Sequence, residues 1–272
     1  MLDHSWTAAD IPSLQGKTIV VTGANSGLGF YTTLELARKG ALVIMACRTA
    51  ARAETAMQAI KSEFSDARLE FVPLDLASLV SIRSFVDQVQ QQTTRLDVLI
   101  NNAGIMAIPH RLTADGFEMQ FGTNHLGHFA LTGLLYPLLS QSGLSRVVTV
   151  SSLMHRFGKM DFDDLMGARS YDPWRAYSQS KLANLLFAYE LQRRLTDRRA
   201  GVLSLAAHPG YAATHLQFVG AEMQGSAFQR WMNQIANNLL AQPAAQGALP
   251  ELYAATVPQL EGGSFIGPDG RG

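Results

Sequence analysis

The sequence predicts an α/β fold: one domain built on a mainly parallel sheet of seven strands, with helices on both faces. Short apolar runs alternate with longer amphipathic runs along the 272 residues, which is typical of a doubly wound sheet with right-handed crossovers. A glycine-rich turn joins the first strand to the first helix. No Ser/Pro-rich linker divides the chain, so residues 1–272 are interpreted as a single domain.

The first strand and helix flank that turn, Thr22–Gly29. The β-branched run Lys17–Thr22 predicts the strand, and Phe30–Lys39 predicts the helix, with Gly40 as its stop. Six further apolar runs predict strands, at 42–47, 69–74, 96–100, 146–150, 202–206 and 264–266. Helical patterns lie between them, at 50–64 after the N-cap candidate Thr49, at 78–91, at 119–140 with glycine interruptions, and at 173–196.

The glycine-rich turn has the residues that a phosphate-binding loop needs. Gly23 allows a tight turn, Gly27 lets the backbone approach a pyrophosphate, and Gly29 allows close packing of helix on strand. The first turn of the following helix then directs free N–H groups at the anion. Taken alone, the same pattern also fits a tight connection without a ligand.

Composition excludes several classes of protein. The net charge is zero and the pI is near 7.1, which argues against a nucleic-acid partner. Cys47 is the single cysteine, so there is no disulfide framework and no cysteine-rich metal site. The longest apolar stretch, 129–139, is too short to span a bilayer, and residues 1–6 lack the basic start of a signal peptide. We therefore expect a cytoplasmic protein without a membrane span.

Tyr177 and Lys181 lie four residues apart and therefore share one face of the predicted helix. A tyrosine in water titrates near ~10, and a neighbouring ammonium lowers the pKa of a phenol toward the range useful for proton transfer. This predicts a general acid/base. The spacing is common, and by itself it also fits an ordinary amphipathic helix.

Five motifs in order resemble those of the short-chain dehydrogenase/reductase family. They are Thr22–Gly29, Asn101–Gly104, Ser151–Ser152, Tyr177–Lys181 and His208–Gly210. Together they cover nearly the whole chain. The resemblance implies a Rossmann-type fold, a nicotinamide cofactor and an oxidoreductase activity on an alcohol or a carbonyl group.

The resemblance also implies four catalytic residues. Tyr177 matches the general acid/base of the family, and Lys181 matches the lysine that binds the nicotinamide ribose and lowers the tyrosine pKa. Ser152 matches the serine that orients the substrate carbonyl. Asn124 matches the helix asparagine that holds a water in the proton relay.

By the same resemblance, the cofactor lies along the ends of several strands. Asp75 matches the acid beside the adenine ring, and Asn101 is expected on the ribose side. Thr214 matches the hydroxyl that contacts the carboxamide, although a capping role fits it as well. The full implied set is Gly23, Asn25, Ser26, Gly27, Leu28, Gly29, Arg48, Asp75, Leu76, Asn102, Ala103, Gly104, Tyr177, Lys181, Pro209, Gly210 and Thr214.

The end of the second predicted strand indicates NADP(H) rather than NAD(H). NAD enzymes place an acid there to bind the ribose 2′-OH, and that acid would repel a 2′-phosphate. This chain has Arg48 and Thr49 instead, and its first acid afterwards is Glu54. An arginine can form a forked, charge-assisted contact with a phosphate. The alternative is a solvent-facing Arg48 without such a role.

The chain departs from many family members in the distance between Ser152 and Tyr177, with 24 intervening residues. This insertion resembles the retinol-dehydrogenase-like and protochlorophyllide-reductase-like branch, whose members act on large lipophilic molecules. We therefore expect a bulky apolar substrate and a monomer or homodimer. The apolar segment 214–240 is rich in Met and aromatic residues and lies where the family has its substrate loop, so we expect a lid at about 211–240, although core packing fits this segment as well. Carbon–carbon double-bond reduction and a non-catalytic nucleotide-binding regulator stay open as alternatives.

No histidine pair has metal-ligand spacing beside a carboxylate, so no metal site is expected.

Overall fold

The computed structural model describes residues 6–210 and 244–268, and seven strands in this part of the chain form one sheet. Every strand pair in it is parallel. The strand order β3-β2-β1-β4-β5-β6-β7 confirms the Rossmann-type prediction. The strands are β1 Thr18–Thr22, β2 Leu42–Cys47, β3 Arg68–Pro73, β4 Val98–Asn101, β5 Ser145–Val150, β6 Val202–Ala207 and β7 Phe265–Ile266.

Helices connect these strands and cover both faces of the sheet. They are α1 Gly27–Arg38, α2 Ala50–Glu63, α3 Leu79–Gln92, α4 Met119–Phe121, α5 Gly127–Ser140, α6 Pro173–Asp197, α7 Ala244–Gly247 and α8 Leu249–Thr256. The helix predicted over 119–140 is instead α4, a π-helical turn Gly122–Leu126, and α5. Short 3-10 turns occupy Ala8–Asp10 and Leu153–Phe157. Helices α7 and α8 were not predicted from the sequence.

Two apolar layers lie on either side of the sheet. One buries side chains of α1, α2 and α8, such as Leu36, Ile60 and Leu252. The other buries side chains of α3 and α5, such as Phe85 and Leu135. Strands β1, β2 and β4 contribute to both layers, which explains why their sequences are continuously apolar rather than alternating.

Helix α1 begins at Gly27, three residues earlier than the predicted start at Phe30. A Cβ at Gly29 would collide with the carbonyl oxygen of Gly23 and lie 2.6 Å from Asn102 Nδ2. A residue larger than glycine therefore does not fit at position 29. The first turn of α1 is thereby held directly behind the end of β1.

Gly29→Ala is expected to destabilise the protein by about 1–3 kcal/mol, the usual cost of overpacking. For a chain of this size each kcal/mol corresponds to about 2–4 °C in Tm. Gly133→Ala is the matched control, since a Cβ at this exposed position of α5 would meet nothing within 4 Å. It should stabilise the helix by about 0.5–1 kcal/mol. Equal Tm values for the two variants would contradict the packing argument.

The strand order reverses direction between β1 and β4, because β2 lies on one side of β1 and β4 on the other. In open α/β sheets, ligands bind outside the carboxyl ends of the strands at this switch point. Predicted site residues follow the carboxyl ends of all strands from β1 to β6, and Tyr177 and Lys181 lie on α6. Across the described ranges, no helix is both long and apolar enough to cross a membrane.

Candidate active site

The glycine-rich loop between β1 and α1 has the conformation of an anion cradle. Gly23 and Gly27 have positive φ values of 68° and 54°, which glycine adopts without strain. Ser26 occupies the N-cap position of α1, but its side chain makes no capping hydrogen bond. The first N–H groups of α1 therefore lack a side-chain cap and fit the negative charge of a pyrophosphate.

Thr22, at the end of β1, holds the Asn101–Gly104 segment against this loop. Its hydroxyl oxygen accepts the backbone N–H groups of Asn102 and Ala103, both at 2.9 Å. The Asn102 side chain donates to the Thr22 carbonyl at 2.7 Å. Sequence reasoning did not single out the Thr22 side chain. A hydroxyl at the last position of a buried strand was the available signal.

The Thr22 hydroxyl is in turn linked to His128, which is buried in α5. The His128 Nδ1 lies 2.9 Å from the carbonyl oxygen of Asn124, so this nitrogen carries the proton. Its Nε2 lies 2.9 Å from Thr22 Oγ1 and accepts from that hydroxyl. Burial lowers the pKa of His128 to about 3, so the ring is neutral and structural. The described residues contain no group of three or more potential metal ligands.

Asn124 lies in the π-helical turn, and its side chain anchors the backbone of Ile105. It accepts the N–H of Ile105 at 2.8 Å and donates to the carbonyl of Ile105 at 2.9 Å. The same amide nitrogen donates to Ser180 Oγ at 3.0 Å. Its side chain is thus occupied by protein partners. A water held by Asn124 stays a prediction.

Tyr177 and Lys181 project from α6 toward the end of β5, as their spacing predicts. Tyr177 is 5% exposed and Lys181 is 3% exposed. The Lys181 ammonium lies 5.8 Å from the centroid of the Tyr177 ring and donates to the carbonyl of Val150 at 3.1 Å. Ser152 lies two residues beyond Val150, and its side chain lowers the pKa of Tyr177. The structure thus brings Ser152, Tyr177 and Lys181 together at one strand end.

The pKa of Tyr177 differs from the expectation. Burial raises the pKa of Tyr177 to about 12, and only the hydrogen bond from Ser152 opposes this rise. Burial also lowers the pKa of Lys181 to about 8. The expected lowering of the tyrosine pKa by Lys181 is therefore wrong for the protein without cofactor, since desolvation of the buried hydroxyl dominates and Lys181 is not among the causes of its shift.

Arg48 lies beside the glycine-rich loop, because the end of β2 is bonded to it. The N–H of Gly23 donates to the Ala46 carbonyl at 2.9 Å. Arg48 itself is exposed, and its guanidinium makes no hydrogen bond or ion pair within the described ranges. The guanidinium is therefore available to a ligand at the end of β2.

Thr49 occupies the N-cap position of α2, as predicted, but its side chain makes no capping hydrogen bond. Asp75 follows β3, where its carboxylate accepts the N–H of Ala77 at 2.9 Å. Leu76 is buried against Gly127, at which a Cβ would collide with the Leu76 carbonyl.

Asn101 does not line a ribose site as expected. Its side chain is fully buried and donates to Thr132 Oγ1 at 3.0 Å and to Thr149 Oγ1 at 3.5 Å. The amide thus cross-links β4 to α5 and β5 inside the sheet. The prediction is wrong because alternate residues of a strand point to opposite faces, and Asn101 is still within β4.

Gly104, Pro209 and Gly210 place backbone rather than side chains around the catalytic residues. A Cβ at Gly104 would lie 3.3 Å from Asn124 Oδ1 and 3.6 Å from Lys181 Nζ. Gly210 has a φ of 65° and donates its N–H to His208 Nδ1 at 3.1 Å. These small residues leave room for a flat ring, and together with the anion cradle they fit a nicotinamide dinucleotide. Thr214 and the expected lid at 211–240 lie outside the described residues.

The insertion between Ser152 and Tyr177 packs onto the helix that carries Tyr177. The side chain of Gln179 accepts the N–H of Asp161 at 3.0 Å and donates to the carbonyl of Leu165 at 2.9 Å. The Asp164 carboxylate accepts three backbone N–H groups, those of residues 168–170. Gln179 was not foreseen as an anchor, because it lies inside the helical pattern.

Comparison with known proteins agrees with this geometry. The family model described as short chain dehydrogenase matches residues 17–224. The chain belongs to this family, and its class is therefore oxidoreductase. It lies in the retinol-dehydrogenase-like branch: retinol dehydrogenase 14 of Mus musculus is 44% identical over 266 residues, covering 93% of this chain and 78% of the relative.

Two further relatives are similarly close. Retinol dehydrogenase 13 of Homo sapiens is 46% identical over 251 residues, covering 89% of this chain and 75% of the relative. A crystal structure of an uncharacterized protein from Mycobacterium paratuberculosis is 48% identical, with a TM-score of 0.78 and coverage of 97% of this chain and 85% of that one. The branch inferred from the insertion is therefore confirmed.

Proposed function

We propose that this protein is an NADP(H)-dependent oxidoreductase that moves a hydride between the nicotinamide and the carbon of an alcohol or carbonyl group. The convergence of Ser152, Tyr177 and Lys181 at the end of β5 carries the proposal. When bound, the cofactor supplies or accepts the hydride. A non-catalytic regulator would have no need of all three side chains together.

We propose that Tyr177 transfers the proton. With a pKa raised to about 12 by burial, its hydroxyl is protonated at neutral pH and ready to donate to an oxygen that gains negative charge. Ser152 lies beside that hydroxyl and orients the substrate oxygen that accepts the proton. Lys181, still mostly charged at pH 7 with a pKa of about 8, stabilises the phenolate left behind.

We propose a bulky, apolar substrate. Two similar relatives are named for retinol, a long apolar alcohol. The insertion adds exposed apolar side chains near the start of α6, Phe157 and Phe162 among them. Such residues suit contact with a lipophilic molecule. The names of these relatives do not identify retinol as the substrate of this chain.

A substrate panel followed through NADPH absorbance tests the activity. Ketones, aldehydes and enones of small and large apolar size are compared with the corresponding alcohols and NADP⁺. We expect carbonyl reduction or alcohol oxidation, with higher kcat/KM for the bulky members. Products from enones that keep the carbonyl would instead indicate double-bond reduction. No turnover with any member, despite tight cofactor binding, would favour the regulator.

We propose the cytoplasm as the compartment, since Cys47 is a free, buried thiol and suits a reducing environment. Cell fractionation tests this, and recovery in a membrane or secreted fraction would contradict it.

We expect a monomer or homodimer in solution. Many relatives form tetramers through the helix that carries the catalytic tyrosine, and here the insertion is bonded to Gln179 of that helix. Light scattering of the purified protein tests the expectation. A mass near four times 29.6 kDa would contradict it.

A further inference from the structure

Helix α8 carries a buried carboxyl group, Glu251, that no proposed step uses. Glu251 is 2% exposed. The hydroxyl of Thr32 on α1 donates to its Oε1. Its Oε2 is buried and has no hydrogen-bond partner among the described residues. A buried carboxylate oxygen without a partner is costly, so its charge needs a cation nearby or a proton.

Glu251 lines a narrow crevice formed by described residues. Among the described residues, two titratable side chains face it from other elements, Lys181 from α6 and His208 from the segment after β6. Lys181 is the charged group that acts on the carboxyl. Arg146 of β5 instead donates to backbone carbonyls at the far end of α8, and on α1 Arg38 pairs with Glu35.

The crevice lies at the reactive end of the proposed cofactor cleft. Its walls include Leu28 from the glycine-rich loop, Val150 at the end of β5, and Pro209 after β6. Val150 is also the residue whose carbonyl binds Lys181. Arg48 follows β2, which is separated from β5 by β1 and β4 in the sheet. The carboxyl is therefore near the nicotinamide end rather than the phosphate-bearing ribose.

Resting on the proposed function, we infer that Glu251 is an electrostatic partner of the oxidised nicotinamide ring, favouring binding of NADP⁺ over NADPH with release of a proton. The oxidised ring carries a positive charge and the reduced ring does not. A carboxylate across the crevice wall therefore stabilises the oxidised ring and not the reduced ring. Bound NADPH thereby becomes a stronger hydride donor than it would be without the carboxylate.

The proton balance follows from the state of the free protein. Burial raises the pKa of Glu251 to about 7, against the hydrogen bond of Thr32 and the charge of Lys181. An arriving cation favours the ionised form, so the protonated fraction of Glu251 loses its proton to solvent as NADP⁺ binds. Release is largest near pH 7. It falls toward pH 9, where the group is already ionised.

Calorimetry in two buffers of different ionisation enthalpy counts the protons released on binding of NADP⁺ and of NADPH between pH 6 and 8. The 2′-phosphate is common to both nucleotides, so the difference between them isolates the ring charge. We expect excess release with NADP⁺ in the wild type. Glu251→Gln should abolish this excess and reduce the preference for NADP⁺ by about tenfold.

Glu261→Gln, the same change at an exposed site, is the control and should keep both effects. Thr32→Val removes the donor to Oε1 and should move the release to higher pH. Equal proton counts for both nucleotides in the wild type, or an excess that survives in Glu251→Gln, would overturn the inference. A wild type that binds neither nucleotide would overturn the proposed function instead.

Discussion

Tyr177→Phe is expected to lower kcat by roughly 10²–10⁴, the contribution typical of a general acid/base. The substitution removes the ionisable hydroxyl that Ser152 contacts and keeps the buried ring. The loss should appear in kcat more than in KM, because the proton moves only in the transition state. Measurement at pH 7 keeps Lys181 mostly charged, since its pKa is about 8.

Tyr189→Phe is the matched control, since Tyr189 lies on the same helix but is half-exposed and makes no hydrogen bond within the described ranges. It should leave kcat unchanged. Cofactor affinity and Tm of Tyr177→Phe should also match the wild type. A folded Tyr177→Phe enzyme with half of the wild-type rate would show that another group handles the proton.

The sheet could be predicted from the sequence because each strand is a short apolar run bounded by polar or small residues. Strand β2, Leu42–Cys47, was predicted with its observed bounds, and β4 and β6 within two residues. Helix α8 was not predicted because Leu249–Thr256 is only eight residues long and lies outside the regular alternation of strands and helices. Short helices of this kind are defined by the tertiary contacts they make.

The site was only partly predictable, because the sequence shows which groups converge but not how deeply they are buried. The spacing of Tyr177 and Lys181 correctly predicts a shared face. It does not show that desolvation reverses the expected direction of the tyrosine pKa. The partner of Glu251, Thr32, is 219 residues away along the chain, so no local pattern could indicate that pair.

The Tyr177 hydroxyl and the Glu251 carboxyl, both buried, support hydride transfer from the cofactor to a carbonyl. The neutral Tyr177 hydroxyl is the form that donates a proton to a new alkoxide. Ionised Glu251 stabilises the oxidised ring that hydride transfer produces. Carbonyl reduction uses the proton of Tyr177 and produces the positively charged ring that ionised Glu251 stabilises. The two groups therefore favour the same direction of reaction.

Arg48→Ala is expected to weaken NADPH binding by roughly one to two orders of magnitude and to leave NADH nearly unchanged. The guanidinium is exposed at the end of β2 and has no protein partner in the described part of the chain. A hydrogen bond to a charged group contributes about 1.5–3 kcal/mol, or about 10- to 150-fold in Kd. The next residue, Thr49, has a hydroxyl that makes no capping hydrogen bond to α2.

Arg52→Ala is the matched control, since Arg52 lies in the first turn of α2, four residues after Arg48, and is also exposed. If general electrostatic attraction held the nucleotide, both variants would weaken NADPH equally. A specific contact between Arg48 and the 2′-phosphate predicts an effect at Arg48 alone, growing at low salt. Wild-type protein that prefers NADH, or an Arg48→Ala variant that loses both nucleotides equally, would rule out this contact, because only the phosphate distinguishes the two cofactors.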